Sequence, residues 1–449
     1  MALDLSWLAS RLTDVSVKGI AVETAALIHS GEIPLGTQLP PVRDLAEKLG
    51  VSPATISAAW RQLKQQKVVV GKGRSGIWVC GDSLTPRPVR FEQIGNYGSA
   101  IRADLALAAP DPALLPDLKT AMQMGLVCPT LNSYRREAIV PALLAAITPR
   151  WPYKAEAWLA TDGGFDAMNG LIQTLFRPGD KIIIEDPTAT RLLDMLDNLG
   201  AEILPLACDD EGPLPGALAM LLKKGASALI YQPRTHSATG HTVSLARSEA
   251  LAAALANSTA LIIEDDGIGE LSAQPLYTLG RIYPERTLHV RSFSKAYGPD
   301  LRLAVLSGPQ KLIGRIQSWR HFGASWTSRI LQQAVAWLLQ DEETQRQIAH
   351  AREVYQQRRR LLLAALANRG IDLPDRDGLS LCIPVQSEQF AMITLAARGI
   401  AVLPGERCRS GGRQFIRVCT AMITTENVES IADALALACH REQASRADF

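Results

Sequence analysis

Lys295 lies in the run Ser292-Phe293-Ser294-Lys295-Ala296-Tyr297-Gly298-Pro299, and Arg302 follows shortly after. A lysine amine between small hydroxyls and a Gly-Pro turn, with a guanidinium in reach, supplies what pyridoxal phosphate (PLP) requires. The amine bonds the aldehyde as an internal aldimine, while Ser292, Ser294 and Arg302 hold the phosphate. Two further segments fit the same chemistry. Asp265, in Glu264-Asp265-Asp266, follows the apolar run Leu261-Ile262-Ile263. A carboxylate at the C-terminal end of a strand can pair with the protonated pyridine nitrogen and keep the ring an electron sink. Thr161-Asp162-Gly163-Gly164 precedes a helical pattern, where backbone amides of a glycine turn accept a phosphate. A lone lysine beside serine is ordinarily a surface group, and a lone Gly-Gly a tight turn. The order of these segments along one chain is what points to a cofactor site.

The surrounding elements are those such a site needs. Short apolar strands at 181–184, 201–204, 228–231 and 261–263 alternate with helical stretches, among them one that ends at Phe176 and Arg191–Leu199. That alternation predicts an α/β sheet with helices on both faces. From about residue 330 long helices, including 341–366, precede short strands near Leu381 and Phe415, which predicts a smaller α+β subdomain. With 449 residues, 47% hydrophobic and 20% charged, the chain has room for two or three globular domains. Seven cysteines without a CxxC pair fit free thiols in a reducing compartment. Asp4 and Arg11 interrupt the apolar N-terminus, no uncharged run approaches a membrane span, and no metal-ligand spacing occurs, so a cytoplasmic chain is expected.

The first eighty residues read differently. A helix is predicted over 17–30, a second from Pro40-Pro41-Val42 to Gly50, and a third from Ser52 as N-cap with Pro53 in its first turn. Two short helices joined by Gly-Val-Ser form the layout of a helix-turn-helix. Val68–Val70, a glycine-rich turn through Gly73 and Arg74, and Ile77–Val79 then make a β-hairpin wing. Net charge is only +2, but Arg43 to Arg74 holds seven Lys/Arg against two Asp/Glu, the footprint of a phosphate-backbone partner. The strings Leu39-Pro40-Pro41-Val42-Arg43-Asp44-Leu45-Ala46 and Gly50-Val51-Ser52-Pro53-Ala54-Thr55, with the wing, resemble the winged helix of the GntR regulator family. The resemblance implies double-stranded operator DNA as partner, faced by Arg43, Ser52, Thr55, Gly73 and Arg74. Pro53 stands where that family often has a basic residue. Residues 81–103, rich in proline and glycine, are expected to be a linker between domain 1–80 and domain 104–449.

The segments quoted after residue 104 resemble a fold-type I, class I/II aminotransferase, and the whole chain is similar to the MocR-type members of the GntR family. What this implies is a multidomain protein: a winged helix-turn-helix joined to a PLP-binding transferase body in a head-to-tail homodimer. The resemblance places Ser237 or His236 at the ring oxygen, Arg417 at an α-carboxylate, and Tyr134 near the partner's phosphate. Three family features are replaced: a phenol by Gly267, a stacking aromatic by Ala189, and an asparagine by Ser237. The expected function is a transcription regulator that binds PLP and senses PLP or an amino-acid-like effector. The alternatives are a working aminotransferase with an accessory DNA-binding domain and a PLP-free dimerising scaffold.

Overall fold

Apolar residues recur at helical spacing before residue 66 and as short unbroken runs after 157, and a computed structural model of the chain builds separate cores from them. It describes residues 3–34, 36–65, 68–71, 76–80, 87–94, 101–409 and 411–439. The chain divides into two compact units, Met1–Pro88 and Val89–Phe449.

In the first unit Ile20 and Ile28 from the helix Val17–His29, Leu45 from Val42–Leu49, and Ile56, Trp60 and Leu63 from Pro53–Gln65 share one buried core. Gly50 turns the chain between the last two helices in the left-handed region (φ 67°), a conformation glycine takes without a Cβ clash. Ser52 Oγ accepts from Thr55 N at 3.1 Å and caps the following helix. An additional helix, Leu5–Arg11, precedes these three; Asp4 Oδ1 caps it by accepting from Ser6 N and Trp7 N at 2.8 and 3.0 Å. Strands β1 (Val69–Gly71) and β2 (Ile77–Val79) pair antiparallel, with Val69 opposite Val79. Gly73 and Arg74 lie outside the described residues.

The second unit begins inside the stretch expected as linker: Val89–Glu92 forms a helical turn. Strand β3 (Ala103–Asp104) follows. An eight-stranded sheet then comprises β4 (Ala157–Thr161), β5 (Lys181–Asp186), β6 (Glu202–Asp209), β7 (Gly212–Pro213), β8 (Ala228–Tyr231), β9 (Leu261–Asp266), β10 (Thr287–Ser292) and β11 (Ala304–Gly308). Its order is β4-β11-β10-β9-β8-β5-β6-β7. Strands β6, β5, β8, β9 and β10 run parallel, which explains why Ile182–Ile184 and Ile262–Ile263 are apolar on both faces. Because β11 is antiparallel to both β10 and β4, strand β4 also ends on the edge where the parallel strands end. Asp186, Tyr231, Asp266, Ser292 and Thr161 therefore finish together, at the edge where open α/β sheets bind ligands.

The smaller subdomain contains β12 (Ser380–Pro384), β13 (Ile400–Ala401), β14 (Leu403–Pro404) and β15 (Phe415–Cys419). Strands β12, β15 and β14 form an antiparallel sheet. Strand β3 pairs in parallel with β13, so a segment from the front of the unit completes a subdomain otherwise made from its end. No helix among the described residues is long and apolar enough to cross a membrane.

Glu264 shows how the sheet edge is held. Fully buried, it accepts from Tyr231 Oη (2.8 Å), Thr278 Oγ1 (2.6 Å) and Leu279 N (2.7 Å), and lies 2.9 Å from His289 Nδ1. Glu264→Ala strands these partners, so its expected cost is about 3–5 kcal/mol, read as a lower denaturant midpoint with unchanged m.

Candidate functional site

Three kinds of group meet at the sheet edge around a cavity of about 500 Å³. The first is the amine. After β10 the chain buries Phe293, makes the helical turn Ser294–Tyr297, and leaves it at Gly298 (φ 119°). This short turn directs Lys295 into the cavity, where Nζ donates to the carbonyl of Ala108. Burial, and then the positive charge of Arg417, push its pKa down to about 8. Arg417 lies across from it on β15, buried, with Nη2 on Ala106 O at 2.7 Å and Nε without a partner.

The second is the carboxylate. Asp265, near the end of β9, accepts from Gln232 Nε2 at 2.7 Å. Burial raises its pKa to about 6, against the Gln232 bond that pulls it down. Gln232 also accepts from Ser237 N at 2.8 Å through Oε1, and donates its backbone N–H to Glu185 Oε2 at 2.7 Å. One carboxamide thus orients both Asp265 and the Ser237 loop. Its position just after β8 carries the same signal that singled out Asp265 after β9, a polar residue at the end of a buried strand, yet the sequence reading did not use it. Behind it, Glu185 lies 3.0 Å from His241 Nε2 and 3.7 Å from His236 Nε2. Burial raises Glu185 to about 7 and lowers both histidines to about 3, so the histidines are held neutral beside it.

The third is an anion cradle. Gly163 (φ 102°) opens the helix Gly164–Leu175, whose first amides have no intrahelical partner. Arg302 lies over this turn, with Nη2 on Asp162 O at 3.1 Å. Its own backbone is in the left-handed region (φ 43°), a conformation that costs an arginine of order 1 kcal/mol and collects at ligand sites. A Cβ on Gly163 would stand 2.9 Å from Arg302 Nη2, and one on Gly164 3.3 Å from Ser292 Cβ. Ser292 and Ser294 also line the cavity.

Ser237 and His236 both border the cavity but are used differently. The His236 ring stacks on His241 at 4.5 Å, with Nδ1 on Thr239 Oγ1 at 3.0 Å. Among the described residues, Ser237 Oγ and His236 Nε2 are both buried without a hydrogen-bond partner. Ala189 and Gly267 border the cavity where the aminotransferase pattern has an aromatic and a phenol. Phe91, Phe165 and Arg191, which the sequence reading passed over, also border it. Tyr134 is not brought to this cavity; it is 90% exposed and meets the ring of Trp326 edge-on at 6.1 Å. A second cavity of similar size, lined by Arg352, Arg359, Arg376 and Asp375, borders none of Lys295, Asp265, Arg302 or Arg417.

These residues fit PLP. They include an amine of lowered basicity, a buried carboxylate, a glycine cradle that a Cβ would fill and an unpartnered hydroxyl. In the first unit Arg43 and Ser52 are exposed at the starts of their helices, and Thr55 Oγ1 is 2.9 Å from Ser52 Oγ.

Comparison with known proteins agrees with this reading of the two units. Residues 18–79 match the bacterial regulatory proteins of the gntR family, and residues 104–435 match aminotransferase class I and II. The chain is 31% identical over 413 residues to the vitamin B6 salvage pathway transcriptional repressor PtsJ of Salmonella typhimurium, covering 90% of this chain and 94% of that one. It is 26% identical over 393 residues to the pyridoxine biosynthesis transcriptional regulator PdxR of Corynebacterium glutamicum, covering 84% and 85%. The structure resembles an archaeal alanine:glyoxylate aminotransferase with a TM-score of 0.69 and 21% identity, covering 78% and 92%, a likeness of fold. A helix-turn-helix DNA-binding unit is joined here to an aminotransferase body of fold type I. The chain belongs to the MocR-type regulators of the GntR family.

Gln232→Leu removes the donor on Asp265. A hydrogen bond to a charged group contributes about 1.5 kcal/mol, so PLP affinity is expected to fall about ten-fold by spectral titration, with the fold intact by circular dichroism.

Proposed function

We propose that this protein is a transcription regulator whose body binds PLP at Lys295 and uses its occupancy to set the affinity of the winged helix for an operator. The observation that carries the proposal is the convergence of Lys295, Asp265, the Gly163–Arg302 cradle and Arg417 on one cavity. When bound, PLP supplies an aldehyde for an amine and a ring that withdraws electrons. The protein's own groups do the rest. Lys295, lowered to about 8, keeps a larger uncharged fraction near neutral pH than an ordinary lysine. Asp265 holds a proton at the pyridine nitrogen, with Gln232 fixing its carboxylate. Arg302, Ser292, Ser294 and the amides at Gly163 and Gly164 hold the phosphate, and Ser237 Oγ meets the ring oxygen. Arg417 accepts the carboxylate of an amino-acid-like effector, in exchange for its bond to Ala106 O.

Arg43, Ser52, Thr55, Gly73 and Arg74 face double-stranded DNA in this reading; the arginines set affinity and the short side chains read bases. The Salmonella and Corynebacterium relatives are named for vitamin B6 salvage and pyridoxine biosynthesis, which supports PLP itself as a signal. A head-to-tail homodimer in the cytoplasm completes the proposal, with Tyr134 reaching the partner's phosphate; its exposure away from its own cavity supports that role. Retention of Lys295, Asp265 and Arg417 also favours some transamination. Ala189 and Gly267 in place of the stacking ring and phenol point to slow turnover.

Purified protein is expected to absorb visible light, and borohydride reduction followed by mass spectrometry to find a pyridoxyl group on Lys295. Lys295→Ala is expected to be colourless. A promoter footprint should change with PLP, by about 5–150-fold in affinity. Brisk keto-acid-dependent turnover without any promoter binding would sink the regulatory reading. The rate of PLP capture should rise with pH to an inflection near 8, because only the uncharged amine attacks and Lys295 has that lowered value. An inflection near the ordinary lysine value would count against the buried-amine geometry.

A further inference from the structure

The turn Val89–Glu92 is too short to be stable by itself, so its order comes from what it touches. Asp194, buried on the helix Thr190–Leu199, accepts Arg90 N at 3.2 Å and Phe91 N at 3.0 Å through its two carboxylate oxygens. The Arg90 guanidinium reaches Asp194 at 3.3 Å and Asp197 at 2.5 Å, and Arg407 donates to the carbonyl of Arg90 at 3.3 Å. On the other side the turn enters the cavity, where Phe91 and Ile94 form part of the wall. The guanidinium carbon of Arg191 lies 4.5 Å from the centroid of the Phe91 ring and 4.3 Å from that of Phe165, the neighbour of Gly164 in the anion cradle. Among the described residues the Arg191 side chain has no hydrogen-bond partner; burial, and then the like charge of Arg302, lower its pKa, against the pull of Asp194, and both arginines line the cavity.

We propose that Val89–Ile94 is a ligand-operated latch: filling the cavity tightens its docking on Asp194 and Arg191, and emptying it loosens the turn. The proposal rests on the reading that PLP occupies this cavity. An anion between Arg302 and Arg191 removes their mutual repulsion, and apolar ligand surface packs on Phe91 and Ile94. Linkage makes the effect reciprocal: if the docked turn improves ligand affinity, ligand improves docking by the same factor. The latch is also where the second unit begins. When it is docked, Asp194 holds the chain to the body at Arg90 and Phe91. When it is undocked, the next backbone attachment among the described residues is Arg102, whose N–H donates to Gly399 O at 2.7 Å. A longer tether lowers the effective concentration of the DNA-binding unit at any fixed position, which gives occupancy a route to DNA affinity.

Hydrogen exchange on the full-length protein with and without PLP tests this. The amides of Arg90 and Phe91 are expected to exchange about ten-fold more slowly once the visible band shows the cofactor bound, a coupling of ordinary size. Asp194→Ala and Phe91→Ala are each expected to abolish that slowing and to weaken PLP binding by a similar factor. A full visible band with unchanged exchange at both amides would overturn the latch while leaving the cofactor reading in place. Absence of any band would overturn both. If Asp194→Ala does not fold, the wild-type exchange and Phe91→Ala still decide the matter.

Discussion

The amine of Lys295 is held in a cavity beside another cation, Arg417, and the surrounding architecture follows from that constraint. Two positive groups in a space of about 500 Å³ are unstable neighbours unless one gives up its proton or an anion arrives. In the protein as described, each rests on a backbone carbonyl of the segment entering the body, Lys295 on Ala108 and Arg417 on Ala106. Those carbonyls accept one hydrogen bond from each group without neutralising it, and Arg417 Nε is left without a partner among the described residues. On the proposed reading, a ligand that carries both an electrophile and negative charge takes the place of these two hydrogen bonds.

The polar wall behind the cavity is built on the same principle with the opposite sign. Glu185, Glu264 and Asp266 lie at the ends of β5 and β9, where a low dielectric makes an unpaired carboxylate expensive. Each has dedicated partners: His241 and the Gln232 amide for Glu185, a hydroxyl and amide set for Glu264, and Arg234 with Arg291 for Asp266. Asp265 is the exception that faces the cavity, and Gln232 is its bonded neighbour there. Saturating its neighbours leaves Asp265 as the acid free to meet a ligand.

Much of this was legible beforehand. The hydroxyl-lysine run, the acid after an apolar strand and the glycine turn before a helix are local patterns, and each keeps its meaning because backbone geometry is local. The same holds for the helix-turn-helix, where Gly50 and the Ser52 cap are written directly in the residues. What was missed depends on distant segments. Leu5–Arg11 is too short for its own periodicity to mark it as a helix, although Asp4 caps it. Val89–Glu92 has a linker's composition, and nothing in its own sequence forms a helix; Asp194, a hundred residues on, orders it. Tyr134, expected near the phosphate of a neighbouring subunit, lies away from the cavity of its own chain.

Residue types at short spacing define the two kinds of unit and mark the lysine, its acid, the glycine turn and Arg302 as candidates for one site. The tertiary fold sets which carbonyls hold Lys295 and Arg417, that Gln232 orients Asp265, and that Thr239 Oγ1 engages His236 Nδ1 while Ser237 Oγ and His236 Nε2 have no hydrogen-bond partner among the described residues. It also decided that β3 closes the small subdomain and that Phe91 and Ile94 wall the cavity. Those outcomes depend on which strand ends share an edge and which distant carboxylate can satisfy a turn's amides, and strand order in a sheet is set by packing rather than by any local run of residues.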